Sequence, residues 1–186
     1  MTTPLPCYHC ALPVPAGSRF TAAVLGQTRE FCCPGCQAVA EAIVAGGLEN
    51  YYQHRSEASA NPEALPVQLV DELALYDRAD VQQPFVRHEG ELAETTLLME
   101  GISCAACGWL IEKHLRALPA VAEARLNLSN HRLHVRWADA QLPLSQVLGE
   151  LRHIGYAAHP YQADRASEQL ASENRRALRQ LGVAGL

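Results

Sequence analysis

The chain has 186 residues, 48% of them hydrophobic and 19% charged, with a formal net charge of −5. This balance is ordinary for a globular protein and excludes wholesale disorder, and the acidic charge, with no basic stripe interleaved with aromatics, argues against nucleic acid as the main partner. No run of about eighteen apolar residues could span a membrane, and the opening MTTPLPCYHCALPVP lacks the basic segment and apolar core of a secretion signal.

The cysteines are therefore expected in a reducing compartment, where close spacing serves metals or redox chemistry more than disulfides. Cys7 and Cys10 open the chain, and Cys32, Cys33 and Cys36 follow a segment whose apolar runs, Phe20–Leu25 and Gln27–Phe31, read as a hairpin about Gly26. Two knuckles across a hairpin predict a zinc-ribbon-like or treble-clef-like site for Zn(II) or Cu(I) in residues 1–53, a segment too small for much core. Cys7, Cys10 and Cys36 are the expected ligands, with either Cys32 or Cys33 as the fourth. Cys33 makes the cleaner knuckle, because Pro34 and Gly35 form the turn. His9 reads as a solvated neighbour. Residues 37–46 read as a helix stopped by Gly46 and Gly47.

Residues 54–90 read as a linker, polar over 54–66, with a short docked helix over 71–80. From Glu91 the pattern is strand (91–100), helix (105–118), strand (121–128), strand (131–138), helix (143–154) and strand (156–161). Leu126 and Leu128 alternate on the second strand, and Leu133, Val135 and Trp137 on the third; Pro143 starts the second helix and Gly155 ends it. The order βαββαβ predicts a ferredoxin-like α+β domain over 91–161. Its loop presents Cys104 and Cys107 at the start of a helix, where unpaired N–H groups favour thiolate. Two soft ligands suit Cu(I) better than zinc, which usually takes four. A redox dithiol, or two core cysteines, are the competing readings of the pair. His131 and His134, three apart on a strand, face opposite ways, and His114 lies two helical turns from Cys107. Residues 162–186 read as a charged helix whose cluster Arg175, Arg176 and Arg179 precedes an apolar ending, a pattern that fits the cytoplasmic edge of a transmembrane helix continuing beyond Leu186.

The stretch GISCAACGWLIEKHL resembles the metal loop and first helix of the heavy-metal-associated domain of copper chaperones and copper-transporting P-type ATPases. Ile102 stands where that family commonly has a buried Met, and should fill the same volume. The segments CYHCALPVP and FCCPGCQAVAEAIVAGGLENYYQHR resemble the small metal-binding domain that precedes it in an ATPase subgroup supplying copper for cytochrome oxidase assembly. The resemblance implies an N-terminal region at the cytoplasmic side of the inner membrane that exchanges Cu(I) between thiolates. Its implied partners are a copper chaperone, the remaining ATPase domains and, through the continuation, the membrane. Cys104 is the implied first contact, Cys107 the better-stabilised thiolate, and Tyr156 a shield for the ion. The ATPase phosphorylation and nucleotide motifs are absent from the chain, so no catalysis is expected of it. A dithiol oxidoreductase using Cys104 and Cys107, or a free-standing metallochaperone, are the alternatives.

Overall fold

The computed structural model describes residues 5–62 and 70–162. In the first part, β1 (Thr21–Val24) and β2 (Gln27–Glu30) pair antiparallel. Leu25 and Gly26 both take positive φ, 54° and 72°, as a two-residue hairpin turn with the strands' own twist requires. The strained Leu25 is held by its N–H donating to Glu49 Oε2 at 2.8 Å. Helix α1 (Pro34–Ala45) begins with proline, whose missing N–H costs nothing in a first turn, and α2 (Tyr51–His54) follows. Val24, Phe31, Val39, Ile43 and Tyr51 form the small core between them.

The connecting segment carries α3 (Val70–Ala74), a 3₁₀ turn at Leu75–Asp77 and α4 (Ala79–Gln82), where one short helix was expected. The Asp77 carboxylate accepts from Ser145 N at 2.8 Å and fastens this segment to the second domain.

That domain has β3 (Val86–Glu89), β4 (Leu92–Glu100), α5 (Ala105–Arg116), β5 (Val121–Asn127), β6 (Arg132–Trp137), α6 (Leu144–His153) and β7 (Ala157–Pro160). The sheet runs β4-β6-β5, with β3 and β7 end to end along the free edge of β4. This is the ferredoxin-like fold with one strand added. Strand β3 escapes the sequence pattern because three of its four residues are exposed and polar.

Ala93, Leu97 and Met99 of β4 and Leu133, Val135 and Trp137 of β6 point to one face. Against them pack Leu110, Ile111 and Leu115 of α5 and Leu144, Val147, Leu148 and Leu151 of α6. On β5 the inward residues are Val121 and Ala124, set by a register shift between Val121 and Glu123, whereas Leu126 is half-buried and Leu128 41% exposed. His114 Nε2 meets Glu150 Oε2 at 2.8 Å, which joins α5 to α6 and accounts for that histidine without a metal. The tail expected as a charged helix lies outside the described residues from 163 onward. Among the described residues, no helix is long and apolar enough to cross a membrane.

Candidate metal centres

The first centre is built on a tight turn. Cys7 N donates to Leu12 O at 2.8 Å and Ala11 N to Cys7 O at 2.9 Å, and Ala11 takes φ 61° to close it. Cys32 follows β2, and Cys36 lies in the first turn of α1. The sulfurs of Cys7, Cys10, Cys32 and Cys36 all lie within 4.8 Å of one another. Cys10–Cys32, Cys32–Cys36 and Cys36–Cys10 are 3.5, 3.7 and 3.6 Å apart. A tetrahedron with Zn–S bonds of about 2.3 Å has edges of about 3.8 Å, close to the three separations among Cys10, Cys32 and Cys36.

Cys33, preferred over Cys32 from turn chemistry, stands apart from this set. It is the N-cap of α1, and its sulfur accepts from Cys36 N at 3.4 Å. The spare thiol thus ends up satisfying a helix N–H that would otherwise lack a partner.

Cys7, Cys32 and Cys36 are pulled in opposite directions. The Cys36 S–H donates to Cys7, and with backbone N–H groups of Cys10, Cys32 and His9 it outweighs burial and brings the Cys7 pKa to about 4. Cys36, by the same hydrogen bond and by burial, is pushed up. Cys32 is pushed up by burial and by its neighbours Cys10 and Cys7.

His9, expected in solvent, is 2% exposed. Its Nδ1 is 3.0 Å from the Tyr52 hydroxyl, and burial, then the Arg55 charge, lowers its pKa to about 4, so it is neutral. Arg55 donates to the carbonyls of Tyr8 and His9, the latter at 2.6 Å, and Ser59 N donates to His9 O at 3.1 Å. Residues 55–59, expected as slack linker, instead strap the Cys7–Cys10 turn. Their polar composition concealed this; the signal available was a lone arginine after two tyrosines.

The second centre sits where β4 gives way to α5. Gly101 turns the chain with φ 84°, and Ile102, expected to fill a buried position, is half-buried at the core margin. Cys104 is the N-cap of α5 and Cys107 lies in its first turn, their sulfurs 3.8 Å apart. Burial opposes ionisation of Cys104, but the backbone N–H groups of Ser56, Cys107 and Ala106 and the Cys107 S–H favour its thiolate, and its pKa comes down to about 7. The lowered thiol of Cys104 is thus that of the N-cap residue itself. Cys107 is fully buried.

Tyr156, expected beside the loop, is 3% exposed, and burial, then Tyr51 and Cys107, raises its pKa. Tyr51 of α2 shares this position. Its hydroxyl lies 3.9 Å from the Cys107 sulfur, and burial, then the Cys107 charge, raises its pKa to about 12. Both tyrosines stay protonated at neutral pH. Trp109, just past Cys107, is 42% exposed. His131 adopts φ 53° at the β5–β6 turn and is exposed, well placed for neither centre.

Residues 6–90 match the family described as "Putative metal-binding domain of cation transport ATPase", and residues 96–157 match the heavy-metal-associated domain. The nitrogen fixation protein FixI of Bradyrhizobium diazoefficiens is 37% identical over 101 residues, covering 54% of this chain and 14% of that protein. A copper-exporting P-type ATPase of Staphylococcus haemolyticus is 38% identical over 64 residues, covering 34% of this chain and 8% of that one. Among solved structures, a CopZ metallochaperone is 29% identical with TM-score 0.34, covering 36% of this chain and 98% of its own.

Proposed function

We propose that the chain, whose residues 6–90 match the cation-transport-ATPase metal-binding family and whose residues 96–157 match the heavy-metal-associated family, is the cytosolic Cu(I)-binding N-terminal region of a copper-exporting P-type ATPase. The observation that carries the reading is the pair of sulfurs 3.8 Å apart at the first turn of α5, one of them with a pKa of about 7. A thiol with that pKa is about half ionised at neutral pH. It can take a soft cation from an incoming thiolate without first losing a proton to a strong base.

Copper is cargo in this scheme. Cys104 is the point of first contact, because it is the more exposed of the two, and Cys107 closes the second bond from within. Tyr156 and Tyr51 are neutral walls that keep water and competing ligands away. Cys7, Cys10, Cys32 and Cys36 hold a second ion, for which their four-sulfur set favours Zn(II) over two-coordinate Cu(I). The source of copper is a small thiolate chaperone and its destination the remaining domains of the pump, at the cytoplasmic face of the inner membrane. The chain binds and transfers; ATP chemistry belongs to the rest of the protein.

Native mass spectrometry of anaerobically purified chain with Cu(I) and Zn(II) in competition tests this. One Cu(I) and one Zn(II) per chain are expected. Zinc alone at both centres would overturn the copper assignment. A lowered N-cap thiol facing a second thiol also suits a dithiol oxidoreductase. A measured reduction potential in the range of cellular reductases, with disulfide-reductase turnover, would favour that reading instead.

A further inference from the structure

Residues 51–59 touch both centres. On one side, Arg55 and Ser59 bind the Tyr8 and His9 carbonyls inside the Cys7–Cys10 turn, and Tyr52 bonds His9. On the other, Ser56 N–H points at the Cys104 sulfur, Ala58 O accepts from Ser103 Oγ at 3.5 Å, and the Tyr51 hydroxyl reaches Cys107. The neighbouring contact is tight as well, since a Cβ on Gly155 would lie 3.1 Å from Val39 Cγ1 of α1. The first domain thus sits on the loop that an incoming thiolate must reach, and Cys107 has no exposed surface left.

We propose that the first domain is a latch over the Cys104–Cys107 loop, and that the ion held by Cys7, Cys10, Cys32 and Cys36 keeps the latch shut. The proposal rests on the four-cysteine reading above for its second half. The first half stands on the contacts alone.

The physical link is short. The carbonyls that Arg55 and Ser59 grip belong to residues lying between two of the four sulfurs, so an ion that fixes Cys7 and Cys10 fixes the grip. Without the ion, a domain this small has little core to keep the turn in shape, and the strap loses its anchor. Opening then bares the Cys104 loop. Coupling of this kind is reciprocal: whatever prises the strap from the loop must weaken ion binding at the four cysteines by the same factor. A docking copper donor would do so, and the four-cysteine ion would act as the resistance that it has to overcome.

The test is site-resolved alkylation of the full chain by iodoacetamide under reducing, anaerobic conditions, read by peptide mass spectrometry. The chain is compared with one molar equivalent of Zn(II) and after chelator treatment, with zinc retention followed by native mass spectrometry. Removing zinc should speed alkylation of Cys104 and Cys107 by about tenfold, within the 5–150-fold range usual for coupled sites. Arg55→Ala that still holds its zinc should show the same rise while loaded. If that variant sheds zinc, the wild-type comparison decides alone. Rates within twofold of each other in loaded and stripped wild type overturn the coupling, and a zinc-bearing Arg55→Ala with wild-type rates overturns the latch. Failure of the wild type to keep zinc would refute the four-cysteine site and its coupling, leaving the latch to be judged on the Arg55→Ala rate.

Discussion

The Tyr51 hydroxyl lies 3.9 Å from the Cys107 sulfur across a sequence separation of 56 residues. A side chain of the first domain thereby becomes a wall of the second domain's dithiol, and the two centres have to be considered together.

Replacing both Cys104 and Cys107 with Ser should abolish binding of the Cu(I) proposed at α5 and leave the ion proposed at the four cysteines in place. The two sulfur sets share no residue, so the losses should separate cleanly in native mass spectra. A double variant with unchanged Cu(I) stoichiometry would sink the assignment.

Metal removal should act unequally on the two domains. Ion binding supplies on the order of 10 kcal/mol to small metal-organised domains at neutral pH, whereas Leu97, Leu133, Val135 and Trp137 are fully buried in a core that needs no ion. Chelation under reducing conditions is expected to erase amide-exchange protection around Cys7–Cys36 and preserve it in β4, β5 and β6. Equal loss in both regions would contradict this.

Folding lowers the Cys104 pKa from 9.0 to about 7. A group depressed in the folded state stabilises it fully above its unfolded pKa, and that contribution fades as pH falls through the folded value. Copper-free chain with the four-cysteine ion in place, so that Ser56 N–H still faces Cys104, should therefore lose stability between about pH 9 and about pH 7 by an amount that Cys104→Ser lacks. Urea denaturation of both proteins at several pH values measures it; parallel curves would count against the lowered pKa.

Gly155→Ala forces a side chain onto φ 90° and against Val39. Left-handed backbone costs an L-residue about 1–2 kcal/mol, and the closeness of Val39 adds to it. The urea midpoint should fall accordingly, and Cys104 should alkylate faster because the domains are pushed apart at the same point. No change in either would mean that this contact is slack.

The second domain was largely legible in the sequence because its signals are local. Leu133, Val135 and Trp137 alternate on a half-buried strand, Gly155 marks a helix end, and the paired cysteines precede an apolar helical stripe. What escaped was set by distant partners. Strand β3 is polar and takes its form from pairing with β4. The choice of Cys32 over Cys33 depends on which thiol lies beside Cys10 and Cys36 and which caps α1, and spacing alone does not determine that. Arg55 and Ser59 look like linker residues until the Tyr8 and His9 carbonyls are placed beside them.

Trp137 is fully buried in the sheet and Trp109, two residues past Cys107 on α5, is 42% exposed. With two tryptophans in the chain, its intrinsic emission divides into a blue component that monitors the core and a red component from the first turns of α5, the helix that begins at the dithiol. Selective loss of the red component on copper addition would make the chain its own fluorescent indicator of loading, with no label attached.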